Sequence, residues 1–285
     1  CGLRRGRGIA MGKVFLFDAA KCNGCRNCQL ACKDEHCEND WRPYAAPQPP
    51  TGQFWCKVTD HPRGTIPKVK IHYIPTICHH CKDAPCIAAG GGAVYRREDG
   101  LVIIDPEKAA GMADLPAACP YGAIFWNEAL SLPQKCTGCA HLLDNGAKVP
   151  RCVEACPTDA LRFGEEEDLK DLKDAVVLHP EHGTSPRVYY RNIPGCFVGG
   201  LVYDPEEEEV VIGAAVTLTL ADGTVYETVS DDFGDFWFKD LPVGKFDLAI
   251  EASVTIRAEG YRPKTFDGLD TAQCPNLGDV PLDKA

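Results

Sequence analysis

The sequence predicts an α+β chain in which an N-terminal domain built around cysteine clusters precedes an all-β sandwich. Of the 17 cysteines, only Cys196 and Cys274 follow residue 156. Charge changes at the same place, because residues 197–285 hold 6 basic and 18 acidic side chains in a chain of net charge -11. Short runs rich in β-branched residues also begin there. We therefore expect two domains, residues 1–195 and residues 196–285.

Composition limits the classes of partner. A net charge of -11 argues against nucleic acid, whose phosphates attract basic surfaces. No stretch approaches the roughly 18 consecutive apolar residues of a membrane span. The residues before Met11 lack the apolar core of a signal peptide. A first residue of Cys indicates either processing or an over-extended reading frame, and the sequence from Met11 resembles a natural start. We therefore expect neither a nucleic-acid partner nor a membrane span.

Four groups of cysteines carry the chemistry of the N-terminal domain. The first and fourth groups have the bacterial ferredoxin spacing, in which three close cysteines hold one [4Fe–4S] cube and the more distant one ligates another. Disulfides explain the pattern poorly, because neighbours two residues apart are poor partners and the total is odd. Zinc suits pairs of cysteines but not three consecutive short gaps. The groups are Cys22-x2-Cys25-x2-Cys28-x3-Cys32, Cys78-x2-Cys81-x4-Cys86, Cys119, and Cys136-x2-Cys139-x12-Cys152-x3-Cys156.

This spacing predicts a double ferredoxin-like domain with three [4Fe–4S] clusters, because each group exchanges its last cysteine with its partner group. The twelve cysteines fall into three ligand sets. Set one is Cys22, Cys25, Cys28 and Cys156; set two is Cys136, Cys139, Cys152 and Cys32; set three is Cys78, Cys81, Cys86 and Cys119.

A fourth cluster is predicted to be absent. Its ligands would stand where the sequence has Gly90, Ala109, Met112 and Leu115. All four are missing together while no other set loses a member. We expect Met112 and Leu115 to fill part of the space.

Other residues near the cysteines have predicted supporting roles. His79 and His80 are expected beside the third cluster, as hydrogen-bond donors or surface residues. Aromatic residues after Cys119 are expected to pack around that cluster or to belong to an ordinary core: Tyr121, Phe125 and Trp126. Five basic residues beside ligands are expected to offset cluster charge: Lys21, Arg26, Lys33, Lys135 and Arg151. The remaining cysteines are expected to be unreactive thiols: Cys1, Cys37, Cys56, Cys196 and Cys274.

The second half of the chain reads as a connector followed by strands. Leu169 and Leu172, three apart in the charged run 165–174, predict a short surface helix. Proline and glycine then mark a connector up to residue 195. Strands are predicted at 197–203, 210–220, 224–229, 236–238 and 246–256. With the sequences Asp232-Phe-Gly-Asp-Phe-Trp-Phe238 and Leu241-Pro-Val-Gly244, this part resembles a transthyretin-like or carboxypeptidase-regulatory-like sandwich, an immunoglobulin-like arrangement.

Five further segments carry a resemblance across the N-terminal domain: residues 84–89, 92–108, 119–123, 134–144 and 186–190. They are similar to the iron–sulfur subunits of the dimethyl sulfoxide reductase family of molybdopterin enzymes, and within it to the small subunits of phenol transhydroxylases of the pyrogallol–phloroglucinol type. The resemblance implies a large catalytic subunit holding molybdenum or tungsten on bis-molybdopterin guanine dinucleotide.

The function that follows is electron transfer without catalysis in this chain. Its partner would act on phenolic hydroxyls as a transhydroxylase, hydroxylase or dehydroxylase. The alternatives are an iron–sulfur subunit of a respiratory polysulfide, dimethyl sulfoxide or arsenate reductase, and a scaffold with non-functional clusters. Thiolate ligands and oxygen-sensitive clusters suit the reducing cytoplasm, where we expect the protein.

Overall fold

The computed structural model describes residues 12–66, 68–241 and 250–285. The expectations for Cys1 and Met11, and for the start of the last predicted strand, lie outside these residues. The chain divides into two compact units, the first made of residues up to Asp60 and His72–Asn192, and the second of His61–Ile71 and Ile193–Ala285. Among the described residues, no helix has both the length and the apolar character needed to cross a membrane.

A three-stranded sheet forms the apolar centre of the first unit. Its middle strand is β1 (Lys13–Asp18), with Val14 to Phe17 all buried because both faces of the strand are covered. β8 (Leu161–Glu165) pairs with it antiparallel and β9 (Val188–Arg191) pairs with it parallel. The sheet thus joins residues from the beginning and the end of the unit.

Short helices and hairpins fill the rest of this unit, because prolines and glycines interrupt every longer run. The longest helix is α1 (Asn27–His36), and it contacts α4 (Arg151–Glu154). The other helices are α2 (Pro85–Ala89) and α3 (Ala140–Asp144). The paired strands of this unit are β4 (Val94–Arg96) with β5 (Val102–Ile104), and β6 (Phe125–Asn127) with β7 (Leu132–Gln134). Strands β2 (Cys56–Arg63) and β3 (Lys70–Ile77) also pair, and His61–Ile71 of this hairpin is assigned to the second unit.

The second unit consists of two sheets around one apolar core. In one sheet, β10 (Cys196–Asp204) pairs with β11 (Glu209–Val210), β14 (Asp235–Leu241) and β17 (Asn276–Pro281). The other has the order β13 (Val225–Val229), β12 (Ala215–Leu220), β15 (Glu251–Arg257) and β16 (Lys264–Asp270). Alternate residues of β12 and β15 are buried, as the sequence alternation requires, and they join buried residues of β10 and β14 in the core.

Two sequence expectations need correction. The charged run at 165–174 is helical only in its last five residues. Glu165 ends β8, and Lys170–Asp174 form a 3₁₀ helix instead of a longer α-helix. The connector also contains β9, which the sequence analysis did not predict. Its pairing partner lies more than 170 residues earlier in the chain, at β1, so local sequence carries little sign of it.

Candidate iron–sulfur sites

The structure brings the twelve selected cysteines together in the three sets of four. Set one lines a single cavity. Burial, followed by the proximity of Cys28, Cys156 and Cys25, raises the pKa of the Cys22 thiol. Four sulfur donors facing one space repel one another once ionised, so they require cations between them. That donor chemistry fits an iron–sulfur cluster.

Sets two and three show the same crowding. Burial raises the pKa of Cys32, and the neighbouring thiols of Cys152, Cys136 and Cys139 add to the effect. In set three, burial raises the pKa of Cys81 to about 11, although a hydrogen bond with the Thr184 hydroxyl opposes the rise. The other three thiols of that set also surround Cys81. Every set therefore has the sulfur ligands that a [4Fe–4S] cube needs.

Three of the four Cys-x2-Cys turns, those that begin at Cys22, Cys78 and Cys136, direct a backbone amide at their first sulfur. The Gly138 N–H donates to Cys136 Sγ at 3.3 Å, and the His80 N–H to Cys78 Sγ at 3.5 Å. The Gly24 N–H makes the corresponding bond to Cys22. The residue that donates has left-handed backbone in all three turns, with φ of 73° at Gly24, 43° at His80 and 64° at Gly138. Glycine favours this conformation, which explains two of the three positions.

His79 and His80 lie beside set three, but neither is a surface residue. Both are buried, and His80 Nδ1 accepts a hydrogen bond from the Val102 N–H at 3.0 Å. The His79 ring stacks on Tyr121 with 4.0 Å between centroids. In the part of the chain that the structure describes, His79 Nδ1 and His80 Nε2 have no hydrogen-bond partner. His80 instead contributes its backbone N–H to set three.

The aromatic residues that follow Cys119 differ in their surroundings. Tyr121 packs on His79 next to set three, and its hydroxyl lies 2.7 Å from the Thr184 hydroxyl. Phe125 and Trp126 are half-buried on β6. Of the three aromatic residues, Tyr121 thus packs beside set three through its contacts with His79 and Thr184.

The imidazole that does reach a ligand sulfur was not found by sequence reasoning. His36 Nε2 lies 3.7 Å from Cys139 Sγ, and His36 also packs against Trp55. Thr184 was missed as well, although its side chain lowers the pKa of Cys81 against the larger effect of burial. His36 follows Cys32 by one helical turn on α1, so its position in the sequence offered a signal. Thr184 stands far from every cysteine group, and only the fold places it beside Cys81.

The sets follow one another in space. Cys78 of set three is a charged neighbour of Cys136 in set two. Between sets one and two lies Cys56, whose thiol is within hydrogen-bonding reach of both Cys28 and Cys152. The order is therefore set one, set two, set three, with neighbouring sets close together.

Of the basic residues expected to offset cluster charge, Lys135 is the most deeply placed. It is 2% exposed, and its ammonium donates to the carbonyls of Val102 and Cys136. Arg26 pairs with Asp60 at 2.5 Å, and Arg151 with Glu154 at 2.7 Å. Lys33 donates to two backbone carbonyls, and Lys21 is exposed.

Side chains occupy the region where a fourth cluster would stand. Ala109 and Leu115 are buried in an apolar cluster with Val94, and Met112 packs against it. A Cβ atom at Gly90 would lie 2.3 Å from Val94 Cγ2. These positions therefore contribute to an apolar cluster, and the absence of a fourth iron–sulfur cluster there stays a prediction.

The remaining cysteines differ in position. Cys37 is half-buried just after α1, whereas Cys56 touches ligands of two sets. Cys196 and Cys274 are buried together in the second unit.

Comparison with known proteins places two family models on the chain. Residues 69–166 match the 4Fe-4S dicluster domain, and residues 198–277 match the carboxypeptidase regulatory-like domain. The pyrogallol hydroxytransferase small subunit of Pelobacter acidigallici is 40% identical over 84% of this chain and 90% of its own length. A subunit of the tetrathionate reductase of Salmonella typhimurium is 34% identical over 66% of this chain and 76% of its own. One polypeptide of the anaerobic dimethyl sulfoxide reductase of Escherichia coli is 33% identical over 61% and 85%.

Proposed function

Because this chain belongs to the iron–sulfur subunits of the dimethyl sulfoxide reductase family of molybdopterin enzymes, we propose that it transfers electrons to or from a large catalytic subunit. The partner would hold molybdenum or tungsten on bis-molybdopterin guanine dinucleotide. The chain itself would contribute no catalytic residue. The thiolate ligands of the clusters must stay reduced, and the cytoplasm provides such an environment.

The observation that carries this proposal is the row of three thiol sets. We assign set one (Cys22, Cys25, Cys28, Cys156), set two (Cys136, Cys139, Cys152, Cys32) and set three (Cys78, Cys81, Cys86, Cys119) as the ligands of three [4Fe–4S] clusters. Bound there, the clusters would supply one-electron redox chemistry. The adjacency of Cys136 to Cys78, and of Cys56 to two sets, makes the row suitable for transfer along the subunit.

The chain's own residues tune and insulate the sites. Backbone amides at Gly24, His80 and Gly138 donate to ligand sulfurs and so stabilise their negative charge. Lys135 adds a buried positive charge next to sets two and three. The buried side chains around sets two and three limit access of water, which strengthens these electrostatic effects.

We further propose that the catalytic partner acts on phenolic hydroxyls. Similarity to the pyrogallol hydroxytransferase small subunit covers 84% of the chain, which is more than the first unit contains. The matches to the tetrathionate and dimethyl sulfoxide reductase subunits cover 66% and 61%. A respiratory reductase subunit is the second candidate, because those relatives are 33–34% identical over 61–66% of this chain.

Anaerobic purification with the subunit's natural partner tests this function. We expect about twelve iron and twelve sulfide per chain, and electron paramagnetic resonance signals that appear on reduction. Turnover of a phenol by the complex should oxidise or reduce the clusters and so change the intensity of these signals. A chain with about eight iron atoms would contradict the three-cluster assignment. Clusters that exchange no electrons with the partner would favour a scaffold.

A further inference from the structure

We propose that His179, Glu181 and His182 form a binding site for a divalent transition-metal cation such as zinc, separate from the three cysteine sets. The three residues belong to the segment His179-Pro-Glu-His182 of the connector, and all three are exposed. One donor atom from each side chain lies within 4.8 Å of the donor atoms of the other two. The site uses no cysteine, so it goes beyond the proposed function and does not depend on the cluster assignment.

The donor types favour a transition metal over calcium or magnesium. Imidazole nitrogen suits zinc, copper, iron and nickel, whereas calcium and magnesium prefer oxygen ligands. Two imidazoles and one carboxylate also form the protein ligands of zinc sites that keep a fourth position for water. The carboxylate of Glu181 balances one of the two positive charges of the ion. The trio therefore supplies a complete set of protein ligands for an open zinc site.

The three side chains already have nearly the spacing of ligands. His179 Nδ1 lies 2.9 Å from Glu181 Oε1. The His179 and His182 rings are nearly parallel, with 5.2 Å between their centroids. Two donor atoms at about 2.0–2.1 Å from one zinc ion are about 2.9–3.4 Å apart in octahedral or tetrahedral coordination. The His179–Glu181 pair thus has the spacing of neighbouring ligands, and rotation of the exposed His182 side chain brings in the third.

Neighbouring residues hold the segment that carries the trio. Leu178, just before it, and Thr184, just after it, are both buried. The Thr184 carbonyl accepts from the Asp83 N–H at 3.0 Å, and the Thr184 hydroxyl lies 2.7 Å from the Tyr121 hydroxyl. The Tyr121 ring also packs edge-on against His182, with 5.1 Å between centroids. Because the backbone is fixed on both sides, metal binding orders only the three side chains and loses less conformational entropy.

The site also opens onto a cavity. His179 and His182 line a cavity of about 450 Å³, whose other walls include Phe54, Tyr121 and Phe125. All the residues that line it belong to the first unit. A cavity of this size holds water or a small molecule. An ion bound to the trio therefore has room for a further ligand at its open position.

The test is a zinc titration of the full chain, purified anaerobically with its partner and freed of loosely bound metal by a chelator. Isothermal titration calorimetry compares the wild type with His179→Ala, His182→Ala and Glu181→Gln. We expect one zinc equivalent in the wild type. Each variant should weaken its binding at least as much as the roughly 10–100-fold that loss of an outer-shell partner costs. Glu128→Gln, which neutralises an exposed carboxylate outside the trio, is the matched control and should bind zinc as the wild type does.

X-ray absorption at the zinc edge identifies the ligands. Nitrogen and oxygen neighbours at about 2.0–2.1 Å would support the trio, whereas sulfur neighbours at about 2.3 Å would place the zinc on cysteine and overturn the inference. Absence of a zinc equivalent in the wild type, or equal affinity in all three variants, would overturn it too. If an alanine variant does not fold, Glu181→Gln decides, because it keeps the size of the side chain. Failure of the proposed function is distinguishable, since it would appear as a low iron count in the wild type before zinc is added.

Discussion

Nε2 of His36 lies 3.7 Å from Sγ of Cys139, and both side chains are buried. Burial lowers the pKa of His36 to about 3, with His141 adding to the effect. The ring is therefore neutral at ordinary pH and has a single N–H, which is directed at sulfur when it is on Nε2. A thiolate bound to iron can only accept a hydrogen bond, so under the three-cluster assignment we expect His36 to donate to Cys139 of set two.

Replacing His36 by Leu should therefore lower the potential of cluster two alone. A hydrogen bond contributes about 1 kcal/mol, which corresponds to about 40 mV for a one-electron couple. A redox titration followed by electron paramagnetic resonance measures the shift. The exposed His182→Leu is the matched control, and an equal shift in both variants would contradict the assignment.

Lys135→Met should lower the potentials of clusters two and three. The buried ammonium lowers the pKa of Cys86 and of Cys136 against the larger, opposite effect of burial, so its field reaches both sets. Low exposure limits screening by water, and we expect a larger shift than for His36→Leu. Exposed Lys108, paired with Asp105 at 2.9 Å, supplies the control Lys108→Met. Potentials that do not move in Lys135→Met would show that its charge is compensated elsewhere.

Leu115→Ala should destabilise the first unit by about 2–5 kcal/mol, the usual cost of such a cavity in a packed core. Leu115 is 3% exposed within the apolar cluster that also contains Ala109 and Val94. Denaturant unfolding of the holoprotein measures the change, with Leu130→Ala as control because Leu130 is 44% exposed. Equal stability of the two variants would argue against a packed core at this position.

Restoring cysteine at Gly90, Ala109, Met112 and Leu115 should not add a cluster. A side chain at Gly90 meets Val94 Cγ2 at 2.3 Å, and Ala109 is fully buried. Iron analysis of the reconstituted quadruple variant is expected to stay near about twelve atoms per chain. A count near about sixteen would show that the apolar core yields to a cluster.

Ser230→Ala should destabilise the second unit by about 1–3 kcal/mol, because it leaves two buried backbone groups without partners. The Ser230 hydroxyl donates to the Val211 carbonyl at 2.6 Å and accepts from the Ala214 N–H at 2.9 Å. Calorimetry measures the loss. Thr255→Ala removes an exposed hydroxyl pair with Thr265 and should change stability much less.

The sequence predicts the positions of neighbouring thiols well, because two residues between cysteines leave room only for a tight turn that brings both thiols to one side. It anticipated which thiols gather in space, whereas their role as ligands stays a prediction. It also identified the iron–sulfur and sandwich parts, which the two family matches confirm. The alternating pattern of β12 is sufficient to predict a strand with one buried face.

What could not be predicted depends on contacts between distant segments. β9 is a strand because β1 offers it a parallel partner. Thr184 stands far from every cysteine group, and it comes close to Cys81 only once the chain has folded. Such residues show no signal in local spacing.

The separation along the chain of the cysteines in each set has a consequence for biosynthesis. Set three is complete once Cys119 has been made, whereas sets one and two wait for Cys156 and Cys152 near the end of the first unit. Under the three-cluster assignment, synthesis therefore completes the ligands of set three first, and iron could reach this set before the ligands of sets two and one have been made.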